Sequence, residues 1–115
     1  MIGIISSSRY KINRKLLKKS IENLMLEKGI GENNNINVVF VGKIKMKEIV
    51  KKYKKEDEAL PVLTFKYDEQ QSDGKFLGEI ILCYPQVLLL AAERNKLVND
   101  TILKLVEHGL KNLTI

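Results

Sequence analysis

Tryptophan is absent from this chain, and its 115 residues hold one cysteine, one histidine and two prolines. With Cys83 alone, an intramolecular disulfide framework is excluded, and the expected setting is a reducing one. A single histidine, His108, cannot by itself build a three-histidine metal centre. The longest wholly apolar run, residues 87–92, falls far short of the roughly 20 residues that cross a bilayer as a helix. Residues 1–8 carry no basic leader and no cleavage-like site, so the expectation is a cytoplasmic protein without a membrane segment. Aromatic residues make up 6% of the chain. Tyr10, Tyr53, Tyr67 and Tyr84 lie far apart in sequence, which reads as too scattered for a base-stacking platform.

What is present describes an ordinary folded domain. Hydrophobic residues are 44% and charged residues 30% of the chain, enough apolar surface for one core and too much for disorder. The length fits a single domain over 1–115. Acidic residues are in the minority, 14 against 20 Lys and Arg, for a net charge of +6. That balance favours phosphate-rich partners. The excess is concentrated in two places. Lys11, Arg14, Lys15, Lys18 and Lys19 form one cluster; Lys43, Lys45, Lys47, Lys51, Lys52, Lys54 and Lys55 form the other, with Glu48 inside it. Either cluster could simply solubilise a helix face. Two of one sign in a short chain point to nucleic acid, with Lys47, Lys51, Lys54, Lys55, Arg14 and Lys18 as candidate RNA contacts.

Periodicity gives the element order. Residues 2–5 read as a strand, with residues 6–8 as N-cap candidates for a helix over 9–28. Its apolar side is Ile12, Leu16, Leu17, Ile21, Leu24 and Met25, and Gly29 is a natural stop. Residues 36–41 are a strand. Residues 45–54 are a helix with Met46, Ile49, Val50 and Tyr53 inward and lysines on another side. The acidic residues 56–58 read as a loop. After Pro61, residues 62–67 alternate as a strand does; residues 68–75 read as a polar connection. Residues 76–83 are apolar on both faces at Ile80-Ile81-Leu82-Cys83, so this strand belongs centrally in the sheet, and Cys83 reads as a small buried residue. Pro85 suits the first turn of a buried helix over 86–96. Asn99 or Asp100 caps a last helix, 101–110, with Ile102, Leu103, Val106 and Leu110 inward and Gly109 fraying its end. The order β-α-β-α-β-β-α-α predicts an α+β domain on one four-stranded mixed sheet with helices packed on it.

The chemistry concentrates in Val106-Glu107-His108-Gly109-Leu110-Lys111-Asn112. Residues at i and i+4 share a helix face, which is why paired histidines at that spacing can hold one zinc ion. Here His108 takes the first position and Asn112 the second. The alternative for His108 is a histidine near a helix C-terminus, where the dipole favours the protonated form.

Four segments in order carry a resemblance. Tyr53-Lys54 leads through Asp57 into Val62-Leu63-Thr64-Phe65; Leu77-Gly78-Glu79-Ile80-Ile81-Leu82-Cys83 is a strand; Pro85-Gln86-Val87 opens a helix; Val106 to Leu110 holds the histidine and glycine. Together they resemble the YbeY family of bacterial rRNA maturation endoribonucleases. They match its Y-R-x-x-D-x-P-T-D-V-L-S-F, L-G-D-I-V-I-C and V-H-G-x-L patterns, with Glu107 as an extra acidic residue before the histidine. The resemblance implies a zinc-dependent, single-strand-directed endoribonuclease of 16S rRNA 3′-end maturation and ribosome quality control. rRNA or the small ribosomal subunit would be its partner. It places His108 as a metal ligand and catalytic group, and Lys54 as the cleft cation where the family has arginine. Asn112 stands at the second ligand position, and no residue matches the third. Pro61 and Glu79 also depart from the pattern. Missing donors would come from another chain, from carboxylates such as Glu107, or from beyond Ile115. The alternative is a degenerate or C-terminally shortened relative that binds RNA or the ribosome without catalysis.

Overall fold

Ile80-Ile81-Leu82-Cys83 has no polar position, so the strand that contains it has to be covered on both faces. All four residues are buried. The computed structural model describes residues 2–54 and 60–114. Its elements are β1 (Ile2–Ile5), α1 (Arg14–Glu27), β2 (Asn34–Val41), α2 (Lys43–Lys54), β3 (Val62–Gln71), β4 (Gly74–Cys83), α3 (Tyr84–Glu93) and α4 (Val98–Leu113). The sheet order is β1-β2-β4-β3. β1 and β2 are parallel, as are β2 and β4, and β3 closes the sheet antiparallel to β4. The α+β reading, the element order and the central place of β4 all hold. Among the described residues no helix is long and apolar enough to cross a membrane.

Strand alternation divides the core into two layers. On one face Leu17, Ile21 and Met25 of α1 and Ile102, Val106, Leu110 and Leu113 of α4 pack on Ile36, Val38, Phe40, Ile80 and Leu82. On the other, Met46 and Val50 of α2 pack on Leu63, Ile81 and Cys83. Each large side chain fully buried is worth roughly 1.5–3 kcal/mol, so the α1/α4 layer supplies most of the apolar stabilisation.

Several boundaries differ from the sequence reading, each for a local reason. α1 begins at Arg14, because the Asn13 side chain accepts from the Leu16 amide and caps the helix there. Residues 6–8 instead form a turn in which the Arg9 amide donates to Ser7 Oγ. Leu16 and Tyr53, placed inward by spacing, are exposed; two inward positions per turn suffice on these helices. α3 is covered on one side only. Val87 and Ala91 are buried, while Leu88 and Leu89 face solvent. α4 starts earlier, at Val98, with Leu97 as a cap that makes no side-chain bond. Asp100 sits in its first turn, where the carboxylate meets the positive end of the helix dipole. It runs on to Leu113 because Leu110 and Leu113 are core residues. Residues 68–71 and 74–75, read as connection, extend the β3–β4 hairpin. A register shift between Lys66 and Glu69 makes this possible, with Asp68 at φ 56° and its carboxylate 2.9 Å from Lys75 Nζ. Lys75 holds the Asp68 carboxyl below its ordinary value, chiefly through that bond. The acidic run 56–58 lies outside the described residues.

Gly78 stands where β3, β4 and α4 meet. Its φ is +153°, a region that side-chain-bearing residues rarely adopt. A Cβ there would overlap the Phe65 carbonyl oxygen and stand 2.8 Å from Leu113 Cδ2. Gly78→Ala is expected to destabilise the domain by at least about 2 kcal/mol. A urea midpoint shift at constant slope is the readout; an unshifted midpoint would show that this crossing is not tight.

Candidate functional site

Gly109 is buried inside α4 rather than fraying its end. A Cβ on it would stand 2.9 Å from both Cγ1 and Cδ1 of Ile80, so the glycine lets the helix backbone rest on β4. One turn on, Leu113 covers Gly78. These contacts run α4 antiparallel to β4 and turn one of its flanks towards the edge strand β3. Asn112 is on that flank: its Nδ2 donates a long bond, 3.5 Å, to Thr64 Oγ1. His108, four residues back, shares the flank one turn away. Both side chains are exposed.

This geometry keeps the i, i+4 relation and changes the donor. Asn112 offers a neutral amide oxygen, a poor zinc ligand beside imidazole or thiolate. Glu107 does not make up the difference. It lies a hundred degrees round the helix, with Oε2 3.2 Å from Lys28 Nζ at the end of α1. Lys28 holds its carboxyl below the ordinary 4.5, through hydrogen bonding first and charge second. Among the described residues no three His, Cys, Asp or Glu side chains come together in a way that could hold a metal ion. The donors among the described residues therefore do not compose a three-ligand zinc site.

The basic residues fall into different roles. Arg14 Nη1 donates to the Ile4 carbonyl and Nη2 to the Ser6 carbonyl, both at 2.7 Å. Its fork therefore pins the end of β1 to the start of α1. Lys15, Lys18 and Lys19 beside it are exposed. α2 turns Met46 and Val50 inward and carries Lys43, Lys45, Lys47, Lys51, Lys52 and Lys54. Lys51, Lys52 and Lys54 occupy its last turn, where they also offset the negative end of the helix dipole. Lys47 is half-buried, whereas Lys51 and Lys54 are exposed. Lys55 lies outside the described residues. α2 and α4 pack on opposite faces of the sheet, so Lys54 and His108, placed in one site by the sequence reading, belong to helices on different faces.

The family model for endoribonuclease YbeY matches residues 5–113. The chain belongs to that family. A YbeY endoribonuclease of Thermodesulfovibrio yellowstonii is 37% identical over 79 residues, covering 68% of this chain and 50% of that protein. One from Aromatoleum aromaticum is 33% identical over 68% of this chain and 49% of its own. One from Thermotoga neapolitana is 32% identical over 98% of this chain and 71% of its own. A solution structure of a Thermotoga maritima protein superposes with a TM-score of 0.69 at 29% identity, over 98% of this chain and 71% of that one. The chain thus spans about half the length of the first two relatives.

Within this YbeY fold the strand glutamate also has a defined place. Glu79 is half-buried, and its Oε1 accepts a 3.2 Å bond from the Tyr67 hydroxyl. Burial, then the Glu79 charge, raises the Tyr67 pKa above 10.0. Cys83 is fully buried, as read from sequence, and burial pushes its thiol up. Each tyrosine has an aromatic neighbour, with Tyr10 and Tyr84 on the α1/α4 side and Tyr53 and Tyr67 on the α2 side. Tyr10 packs on Tyr84 with centroids 4.7 Å apart. Tyr53 meets Phe65 edge-on at 4.9 Å, and Tyr67 stacks on Phe76 at 5.6 Å. Sequence spacing had no means of showing this, because each pair joins different elements. The alternation of Phe65 and Tyr67 on one strand was the available signal.

Arg14→Ala is expected to cost roughly 1–2 kcal/mol, the lower range for hydrogen bonds to a charged donor. Arg14→Lys should not restore it, since one ammonium cannot reproduce the planar fork that meets two carbonyls. Thermal unfolding of both variants checks this, and a lysine variant as stable as the parent would rule out the clamp.

Proposed function

We propose that this chain is an RNA-directed protein of the endoribonuclease YbeY family, serving rRNA processing in the cytoplasm. Its RNA contact is the lysine side of α2. The observation that carries this reading is the charge of that helix: six lysines against Glu48, with its apolar residues turned into the core. Such a side neutralises several phosphates along a strand and gives affinity that falls with salt. The substrate class that fits the family is the 3′ end of 16S rRNA on the small ribosomal subunit, with ribosome quality control as the setting. Lysines act there as point charges, without the bidentate grip of arginine.

Cleavage by a zinc-held water normally requires three protein donors, and the described residues offer one imidazole and an amide. The role supported by the residues themselves is therefore RNA engagement. A second reading keeps metal-dependent cleavage, with donors completed from outside these residues. It is favoured by one observation: His108 and Asn112 retain the i, i+4 flank, exposed towards β3.

Two measurements test these readings. Lys51→Ala with Lys54→Ala should weaken RNA binding and lower the slope of log affinity against log salt by about 1.4–2. An unchanged slope removes the α2 contact. Elemental analysis of the purified 115-residue chain is expected to give well under one zinc per chain, with His108→Ala no different. About one zinc per chain, lost in His108→Ala, would establish the second reading in its place.

A further inference from the structure

The face of the sheet that carries α2 is covered only in part. Beyond the helix, β3 and β4 present Phe65, Tyr67 and Phe76, and Tyr53 of α2 joins them through its edge contact with Phe65. Tyr53 is 59% and Tyr67 46% exposed, high values for rings that already have an aromatic neighbour. Phe65 and Glu79 are cross-strand partners, and the Tyr67 hydroxyl reaches Glu79, which puts these groups on one face. We propose that this aromatic row is a stacking platform for the bases of single-stranded RNA, with the phosphate backbone running over the lysines of α2.

Three features fit that occupant. The rings are held in place before binding: Tyr67 by Phe76 on one side and the Glu79 carboxylate at its hydroxyl, Tyr53 by Phe65. Ordering them on binding therefore costs little. The charge is arranged for a strand that lies one way. Lys51, Lys52 and Lys54 border the Tyr53 end, with Lys52 Nζ 5.5 Å from the Tyr53 centroid. The hairpin end is polar to acidic: Glu69, Gln71 and Asp73 line a cavity of about 330 Å³ beside Phe76. Phosphates are drawn to the lysines, while bases, being neutral, can lie over the rings. Finally, Glu79 and its β2 neighbour Asn37 stand beside the rings as groups able to bond base edges. A duplex, with its bases paired and stacked internally, gains nothing from such a row.

This inference rests on the RNA reading of α2, and the experiment separates the two. Fluorescence anisotropy is measured with a labelled oligouridylate of about twelve nucleotides, within the range of single-strand site sizes, and with a duplex RNA of equal length. Tyr67→Ala is expected to weaken oligouridylate binding roughly 5- to 100-fold, with the salt slope and the duplex affinity as in the parent. Tyr53→Ala should act in the same direction, and Tyr67→Phe should recover most of the loss because the ring is kept. Circular dichroism and urea unfolding show that each variant is folded. Parent-like oligouridylate affinity in folded Tyr67→Ala overturns the platform and leaves the α2 reading standing. No binding of either RNA by the parent chain overturns both. Self-association of the parent that is lost in Tyr67→Ala would assign the face to a second copy of the chain, and overturns the platform as well.

Discussion

At Gly109 a helix lies directly on a buried isoleucine of the central strand, and the position of the histidine flank follows from that contact. A helix normally stands about a side chain's length from the sheet beneath it. With no Cβ at Gly109 and none at Gly78, α4 settles against Ile80, with Leu113 over the β4 backbone. Two such crossings a turn apart fix both the axial position and the rotation of the helix. The rotation decides what His108 and Asn112 face, and the axial position sets Asn112 beside Thr64. The glycine beside the histidine is thus explained by packing alone. It is a requirement of the frame whatever the neighbouring side chains do chemically.

The same constraint separates the two kinds of surface in this domain. A strand with period two sends neighbouring residues to opposite faces, so Ile80 and Leu82 meet α4 while Ile81 and Cys83 meet α2. The helix that carries His108 and the helix that carries the lysines thereby lie on opposite faces of the sheet. Charge repeats this division. Among the described residues the α2 lysines make one ion pair, the 4.0 Å contact of Lys45 with Glu48, whereas on the α1/α4 side Lys28 is held by Glu107 and Arg14 by backbone carbonyls.

The legible parts of this sequence were those set by local periodicity. The apolar run of β4, the inward residues of α1 and α4 and the element order all appear in the chain as spacing, and spacing is what short-range physics imposes. The errors came from competition between neighbours or from contacts between distant segments. Ser6, Ser7, Ser8 and Asn13 were all able to cap α1, and the amide geometry at Leu16 selected Asn13. A left-handed Asp68 let the β3–β4 hairpin run past the point where its composition turns polar. The role of Arg14 in tying β1 to α1 was not legible, because its partners, two backbone carbonyls, have no sequence signature. The aromatic pairs were invisible for the same reason, since Tyr67 and Phe76 become neighbours only once the hairpin is registered.

Metal ligation and contact with a nucleic-acid backbone have different physical requirements, so the two roles proposed for this chain are separable. Zinc affinity is concentrated in three or four short bonds of fixed geometry, so exchanging one imidazole for an amide removes a large share of it at once. Backbone affinity for RNA is distributed over many weak charge contacts and tolerates changes one at a time. Stacking is intermediate, carried by a few rings but indifferent to base identity. The α2 lysines and the Tyr67–Phe76 pair stand on the face away from α4 and owe nothing to the histidine flank for their placement. On the proposed reading, an RNA surface built in this way persists in a YbeY chain with one histidine, and its strength follows salt and strandedness.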